Sequence, residues 1–339
     1  MALLLNINNI MQPFCLSSPS GQEELTKALS YLRQPRCYSL AISLYGRLSY
    51  GDFQDASYLI TNANDEGQPR CYAFLDRSRR PEAELWVFGE WEVASNEYAE
   101  RAAAKTLHAL FSTVKSLPLP PSIFSYPVTT SPQATLDHSG LSADDYMAHA
   151  EDGNIMLCGS IQERTYSLLK KINVLNPRFA HIEVPFLTYL FDNDHLPAVS
   201  PLPPDLQWGE LLPEHMELVN SRTNIRRQPK TMESVPSVGV FAYGSRMPVA
   251  WGFIGVDGSL STLHVEPKDR GRGVAKMLTH KLLTERMPAF FEGGASRYGH
   301  GHVAHENKAS RRLCESVGGK AQWSVHWVRV DLSRVALDF

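Results

Sequence analysis

The chain has 339 residues, 43% hydrophobic and 20% charged, with a formal net charge of −3. That balance supplies a core and enough length for two ordinary domains, and it excludes the chain-wide basic field of a nucleic-acid or anionic-membrane binder. Five cysteines (Cys15, Cys37, Cys71, Cys158, Cys314) form no CxxC pair, which argues against a disulfide framework or zinc knuckle and for a reducing compartment.

The opening "MALLLNINNIMQPF" has no basic n-region, and the first basic residue is Lys27. No signal peptide, transit peptide or membrane span is expected there. The ending "ALDF" matches no retention or peroxisomal address, so a cytoplasmic protein without a membrane partner is expected. Gln22 to Leu32 reads as a helix, and Cys37 to Gly46 as a strand-like segment. "SYLIT", "CYAFLD" and "ELWVFG" form strands between Ala56 and Phe88. Asn96 to Leu117 is a helix with Ala102, Leu107, Leu110, Phe111 and Val114 near one face.

The Pro-rich "LPLPPSIFSYPVTTSP" is a connector. Ser142 caps a short helix to Ala150, Thr165 to Ile172 is helical, and "HIEVPFLTYLF" is a strand. A second connector, Pro197 to Gly209, divides the chain into residues 1–200 and 201–339. Beyond it the spacing predicts helices at Pro213–Asn220 and Thr231–Val235. Strands follow at Val238–Tyr243, Val249–Val256 and Ser259–Val265, with Asp257-Gly258 as a hairpin turn. A helix from Val274 stops at Pro288. Tyr298–Ala304, Lys308–Val317 and Gln322–Val330 then read as strand, helix and strand.

Between the third of these strands and its helix lies Arg270-Gly271-Arg272-Gly273-Val274-Ala275. A helix N-terminus exposes N–H groups without partners, and its dipole adds partial positive charge. Glycines admit a ligand to the backbone, and two arginines add full charges, so the loop suits a phosphate or pyrophosphate. No Lys-Ser/Thr follows to make a P-loop, and an antiparallel meander is the wrong setting for a dinucleotide fold. The tract is single, unlike an Arg/Gly nucleic-acid repeat. A plain turn with solvated arginines is the remaining alternative.

R-x-x-G-x-A after "LHVEPKD" resembles motif A of the GNAT superfamily of acyl-CoA-dependent N-acyltransferases, and "HVAHENKASRRLCESVGG" resembles the block that follows it there. Within the superfamily, "LLPEHMELVNS", "VPSVGVFA", "MPVAWGF" and "VEPKDRGRG" are similar to the glycine N-acyltransferase-like group. The resemblance covers about Leu211 to Val330. It implies a mixed-sheet α/β GNAT domain after residue 200, preceded by a divergent GNAT-like domain. The implied reaction is direct transfer of an acetyl or other acyl group from acyl-CoA to a small-molecule amine, without a metal.

The same resemblance implies site residues. Gly271, Gly273, Val274 and Ala275 would hold the CoA pyrophosphate through backbone amides, with Arg270 and Arg272 on the phosphates or in solvent. Leu263 and Val265, on the strand that splays from its neighbour, would pair with pantetheine. Asn307 would contact pantetheine or cap its helix, and Ser310 would reach a phosphate. The Glu that many GNAT enzymes carry early in this strand falls near Ser259, and none is present; His264 and His302 are the substitutes as proton acceptor. Cys314 stands where many members have a Tyr acid, and either donates a proton or packs as a small apolar residue. His300, His302, His305 and Glu306 raise a metal reading, but His305 points away from the two strand histidines. The rival readings are a CoA-binding pseudo-acyltransferase, which the missing Glu suggests, and O-acylation of a specialised metabolite.

Overall fold

Alternating apolar runs become twelve strands among the described residues of the computed structural model, which are 11–62, 68–93, 97–124, 141–223, 225, 227–290 and 298–336. The strands are β1 (Gln12–Cys15), β2 (Ser57–Thr61), β3 (Cys71–Asp76), β4 (Leu85–Gly89), β5 (Ile155–Gln162), β6 (Phe186–Asp192), β7 (Leu206–Gly209), β8 (Ser237–Ala242), β9 (Pro248–Ile254), β10 (Ser259–Val265), β11 (Tyr298–Ala304) and β12 (Lys320–Asp331). They form one mixed sheet in the order β1-β2-β3-β4-β5-β12-β6-β11-β10-β9-β8-β7. The helices are α1 (Pro19–Leu32), α2 (Ile42–Tyr50), α3 (Glu97–Ser116), α4 (Ala143–Glu151), α5 (Glu163–Lys171), α6 (Met216–Ser221), α7 (Pro229–Ser234), α8 (Val274–Lys281) and α9 (Lys308–Ser316). This is the expected mixed α/β class.

The order of the middle strands ties the two halves of the chain together. β6 precedes the second connector, yet it pairs with β11 from Phe186↔Ala304 to Asp192↔Tyr298. The C-terminal β12 crosses back to pair with β5 from Val325↔Gln162 to Asp331↔Ile155. Each half therefore lends its last strand to the other, and the sheet runs unbroken through the junction.

Apolar clusters cover both faces. On β3, Ala73 and Leu75 pack with α3 and α5, while Tyr72 and Phe74 pack with α1 and α2. Tyr189 and Phe191 of β6 and Val303 of β11 join the cluster under α8 and α9. Strand alternation turns Thr188, His300 and His302 to the opposite face.

Three departures from expectation have physical causes. The expected strand at Cys37–Gly46 is instead a run of turns leading into α2. Ala41, Leu44, Tyr45 and Leu48 recur at helical spacing and are all buried. Gly46 is required there because a Cβ would lie 2.1 Å from the Asp257 carbonyl oxygen, so α2 presses on the β9–β10 turn. β5 was not anticipated: its side chains are almost all buried, so it lacks polar alternation. β1 and β7 are four-residue strands, too short to carry a period. The opening residues 1–10, Asn96 and residues 125–132 of the first connector lie outside the described residues. Among the described residues, no helix is long and apolar enough to cross a membrane.

Candidate active site

β10 runs parallel to β11 only at Ser259↔His300 and Leu260↔Gly301. Its antiparallel register with β9 shifts between Ser261 and His264, and Thr262 sits at φ 51°. This irregularity turns β10 away from β11, so Leu263, His264 and Val265 form one wall of a wedge. Backbone groups on such a wall need partners, and an extended ligand carrying amides can supply them by strand addition.

At the end of the wedge a short 3-10 turn, Pro267–Asp269, leads into the glycine loop. Gly271 and Gly273 take φ 75° and 78°, the left-handed region that glycine enters without steric cost. Gly273 is the N-cap of α8, with no side chain capping the helix. The first-turn N–H groups of Val274, Ala275 and Lys276 thus lack intrahelical partners and carry the positive end of the dipole. Val274 is buried and anchors the turn; Ala275 is half-buried. Arg270 donates from Nε to the Val265 carbonyl at 2.9 Å, which ties the loop to the end of β10. Arg272 pairs with Asp269 at 3.1 Å and with Asp205. Its charge is paired with carboxylates at a partly exposed position.

The N-terminal half contains the matching wedge in filled form. β4 and β5 run parallel and meet only at Leu85↔Cys158. Where the other half has its glycine loop, this one has Glu90, Trp91 and Glu92. Trp91 is buried and donates from Nε1 to Thr165 at 2.9 Å; Thr165 donates to Glu92 at 2.5 Å. Burial pushes the Glu92 carboxyl up to about 8. An indole and two acids make this a poor place for a pyrophosphate.

His264 stacks on Trp251, with ring centroids 4.7 Å apart and planes at 21°. Among the described residues its buried Nε2 has no hydrogen-bond partner, and Glu266 Oε2 lies 3.8 Å from it. Glu266 is held by Arg222 Nε at 2.9 Å. Burial lowers the His264 pKa, partly offset by Glu266.

His302 is fully engaged. Thr188 Oγ1 is 3.1 Å from its Nδ1, and Ser43 Oγ on α2 and Ser160 Oγ on β5 are 3.3 and 3.4 Å from its Nε2. Trp327 packs edge-on at 5.2 Å. Ser43 also lies 3.3 Å from His300 Nε2. The sheet curls enough for Ser160 to reach His302 across β12 and β6. Burial lowers His300 to about 3 and His302 to about 4, so both rings are neutral at physiological pH. A cleft of about 420 Å³ opens on the same face, between Tyr38, Ser39, Leu190, Asp192, Tyr298 and Lys320.

The other expected residues lie around α9. Asn307 caps that helix, accepting from the Ser310 N–H at 3.0 Å; Ser310 is half-buried in the first turn. Cys314 lies in the apolar cluster under α8 and α9, and burial pushes its thiol up to about 12. That setting suits packing rather than proton donation. His305 turns away from the other histidines, toward Ser324 at 3.2 Å. Sequence reasoning missed Ser43, Ser160, Glu266 and Asp257. Asp257 had served only as a turn residue, and Ser43 and Ser160 sit in the segments whose structure was misread or unassigned.

Residues 14–189 match the family model described as the acyl-CoA N-acyltransferase verG N-terminal domain. No curated protein matches the chain significantly. The fold is shared with a solved Drosophila protein at TM-score 0.59 and 12% identity, covering 95% of this chain and 98% of that one. A tandem GNAT protein from the clavulanic acid biosynthesis pathway aligns at TM-score 0.47 and 10% identity, over 95% of this chain and 98% of that one. A GCN5-related N-acetyltransferase from Sphaerobacter thermophilus aligns at TM-score 0.42 and 14% identity, over 83% and 82%.

Proposed function

Because the chain belongs to the family of the acyl-CoA N-acyltransferase verG N-terminal domain, we propose that it transfers an acyl group, most simply acetyl, directly from acyl-CoA to a small-molecule amine. The observation that carries this reading is the contrast between the two wedges. The C-terminal one ends in an uncapped, glycine-lined helix start, whereas Trp91 and Glu92 fill its counterpart. The amides of Gly271 to Ala275 and the α8 dipole take the pyrophosphate, and Arg270 and Arg272 keep the loop in shape. The backbone of Leu263 to Val265 takes the pantetheine amides. Asn307 and Ser310 fix the start of α9. Residues 201–339 form the catalytic unit, and the N-terminal half covers it with α2.

The attacking amine must lose a proton. Of the two candidate histidines, His264 lies on the wedge wall and has a ring nitrogen free of hydrogen bonds, with Glu266 beside it to stabilise the imidazolium. His302 has both nitrogens held by hydroxyls. We therefore assign proton acceptance to His264, the thiolate of CoA leaving as the amide forms. Cys314 has no chemical part. The test is a panel of amines and amino acids with acetyl-CoA and benzoyl-CoA, read by thiol release and product mass. Thiol release that depends on the amine, together with the amide product, supports the reading. CoA binding without turnover on any amine, or an ester product, overturns it.

A further inference from the structure

Asp257, His300 and His302 each present one donor atom, and the three atoms lie within 4.8 Å of one another. They come from the β9–β10 turn and from β11, directly beneath the residues where β10 and β11 still pair. The reading against a metal rested on His305 pointing away. His305 does so, but Asp257 takes the third place.

Two of the three side chains are already oriented by a second group. Thr188 holds His302 at Nδ1, 3.1 Å away, which directs Nε2 into the cluster. Ser43 Oγ lies 3.3 Å from both His300 Nε2 and His302 Nε2, so it stands beside the cluster rather than behind it. Among the described residues His300 Nδ1, in a buried ring, has no hydrogen-bond partner. Ser259 donates to Asp257 Oδ1 from its backbone N–H at 3.1 Å and its hydroxyl at 2.6 Å, leaving Oδ2 as the free donor. A ligating histidine whose other nitrogen is fixed by a neighbour, as His302 is by Thr188, and a carboxylate that is itself hydrogen-bonded are the outer arrangement metal sites use.

We propose that Asp257, His300 and His302 bind one zinc-class divalent ion at the junction of the two halves. Two imidazoles and a carboxylate suit Zn²⁺, with Ser43 Oγ or water in the fourth position. Tetrahedral zinc needs donors about 3.3 Å apart, so the cluster closes by rotamer adjustments of about 1 Å. The bound ion pins the β9–β10 turn to β11 and fixes the point from which the wedge opens. Neither the ion nor its ligands take part in the proton transfer assigned to His264, and zinc uptake can be measured whether or not the acyl-transfer reading holds.

The test uses the full chain stripped with a chelator, dialysed against zinc and measured by elemental analysis, with cobalt as the spectroscopic stand-in. One zinc per chain is expected, with cobalt bands of four-coordinate geometry and no sulfur charge-transfer. His300→Ala and His302→Ala should each lose this uptake, and His195→Ala, on an exposed turn, should keep it. Should a histidine variant fail to fold, ring-nitrogen NMR of the wild-type chain decides: zinc must shift the signals of two buried histidines. No zinc uptake by the wild-type chain, uptake that survives in the folded double variant, or unshifted ring signals would each overturn the site and leave a hydroxyl–histidine network alone.

Discussion

Gly273→Glu gives the most informative perturbation of the CoA loop when paired with Gly273→Ala. Gly273 sits at φ 78°, and a Cβ there would meet only Met277 Cε, at 3.1 Å. Space is therefore available, and both variants bear the same backbone penalty of about 1–2 kcal/mol for an L-residue in the left-handed region. Only glutamate adds a negative charge. With a phosphate about 5 Å away and an effective dielectric between about 20 and 40 at this exposed loop, the repulsion is about 1.7–3.3 kcal/mol. That is roughly a 15- to 250-fold loss of CoA affinity beyond the alanine variant. Titration calorimetry measures the affinities and thermal melts the shared stability loss. A folded Gly273→Glu protein that binds CoA as tightly as Gly273→Ala would show that the pyrophosphate is not at this loop.

Five further outcomes follow from the same geometry. His264→Ala should lose kcat with CoA affinity intact. In the wild-type chain the acid limb of kcat/KM should fall below the ordinary histidine value of about 6.5, because burial lowers this ring. Glu266→Gln removes a charge that raises the His264 pKa, so its limb should move further down; a limb moving up would contradict the pairing. Cys314→Ala should keep kcat within about threefold, whereas Cys314→Tyr should destabilise by about 1–3 kcal/mol through overpacking, read as a lowered Tm. Calorimetry should give one CoA per chain, since Trp91 and Glu92 fill the second wedge; two sites would refute that. Gly46→Ala should lower Tm through the clash with the Asp257 carbonyl, and an unchanged Tm would mean that α2 does not press on the turn.

Much of the C-terminal half was legible because its signals are local. The Asp257-Gly258 turn, the alternation in β9 and β10 and the glycine loop each report on neighbours in sequence. The glycines could be read as backbone positions, and both adopt positive φ. What could not be read depends on distant segments. α2 looked strand-like because it is buried nearly all round, between the sheet and the β9–β10 turn, and shows no polar face. β5 lacks polar alternation because both its faces are covered. The exchange of β6 and β12 has no local sequence signal, yet it puts Thr188 beside His302. Thus His302 looked like a base by residue type, while three hydroxyls from the N-terminal half hold it in place.

Hydrogen–deuterium exchange with and without CoA tests the location of the acyl-CoA site most directly. The expected result is CoA-dependent protection of residues 261–265 and 270–276, with residues 85–93 unchanged. Protection at 85–93 with no change in the glycine loop would place the cofactor in the other wedge and contradict the account.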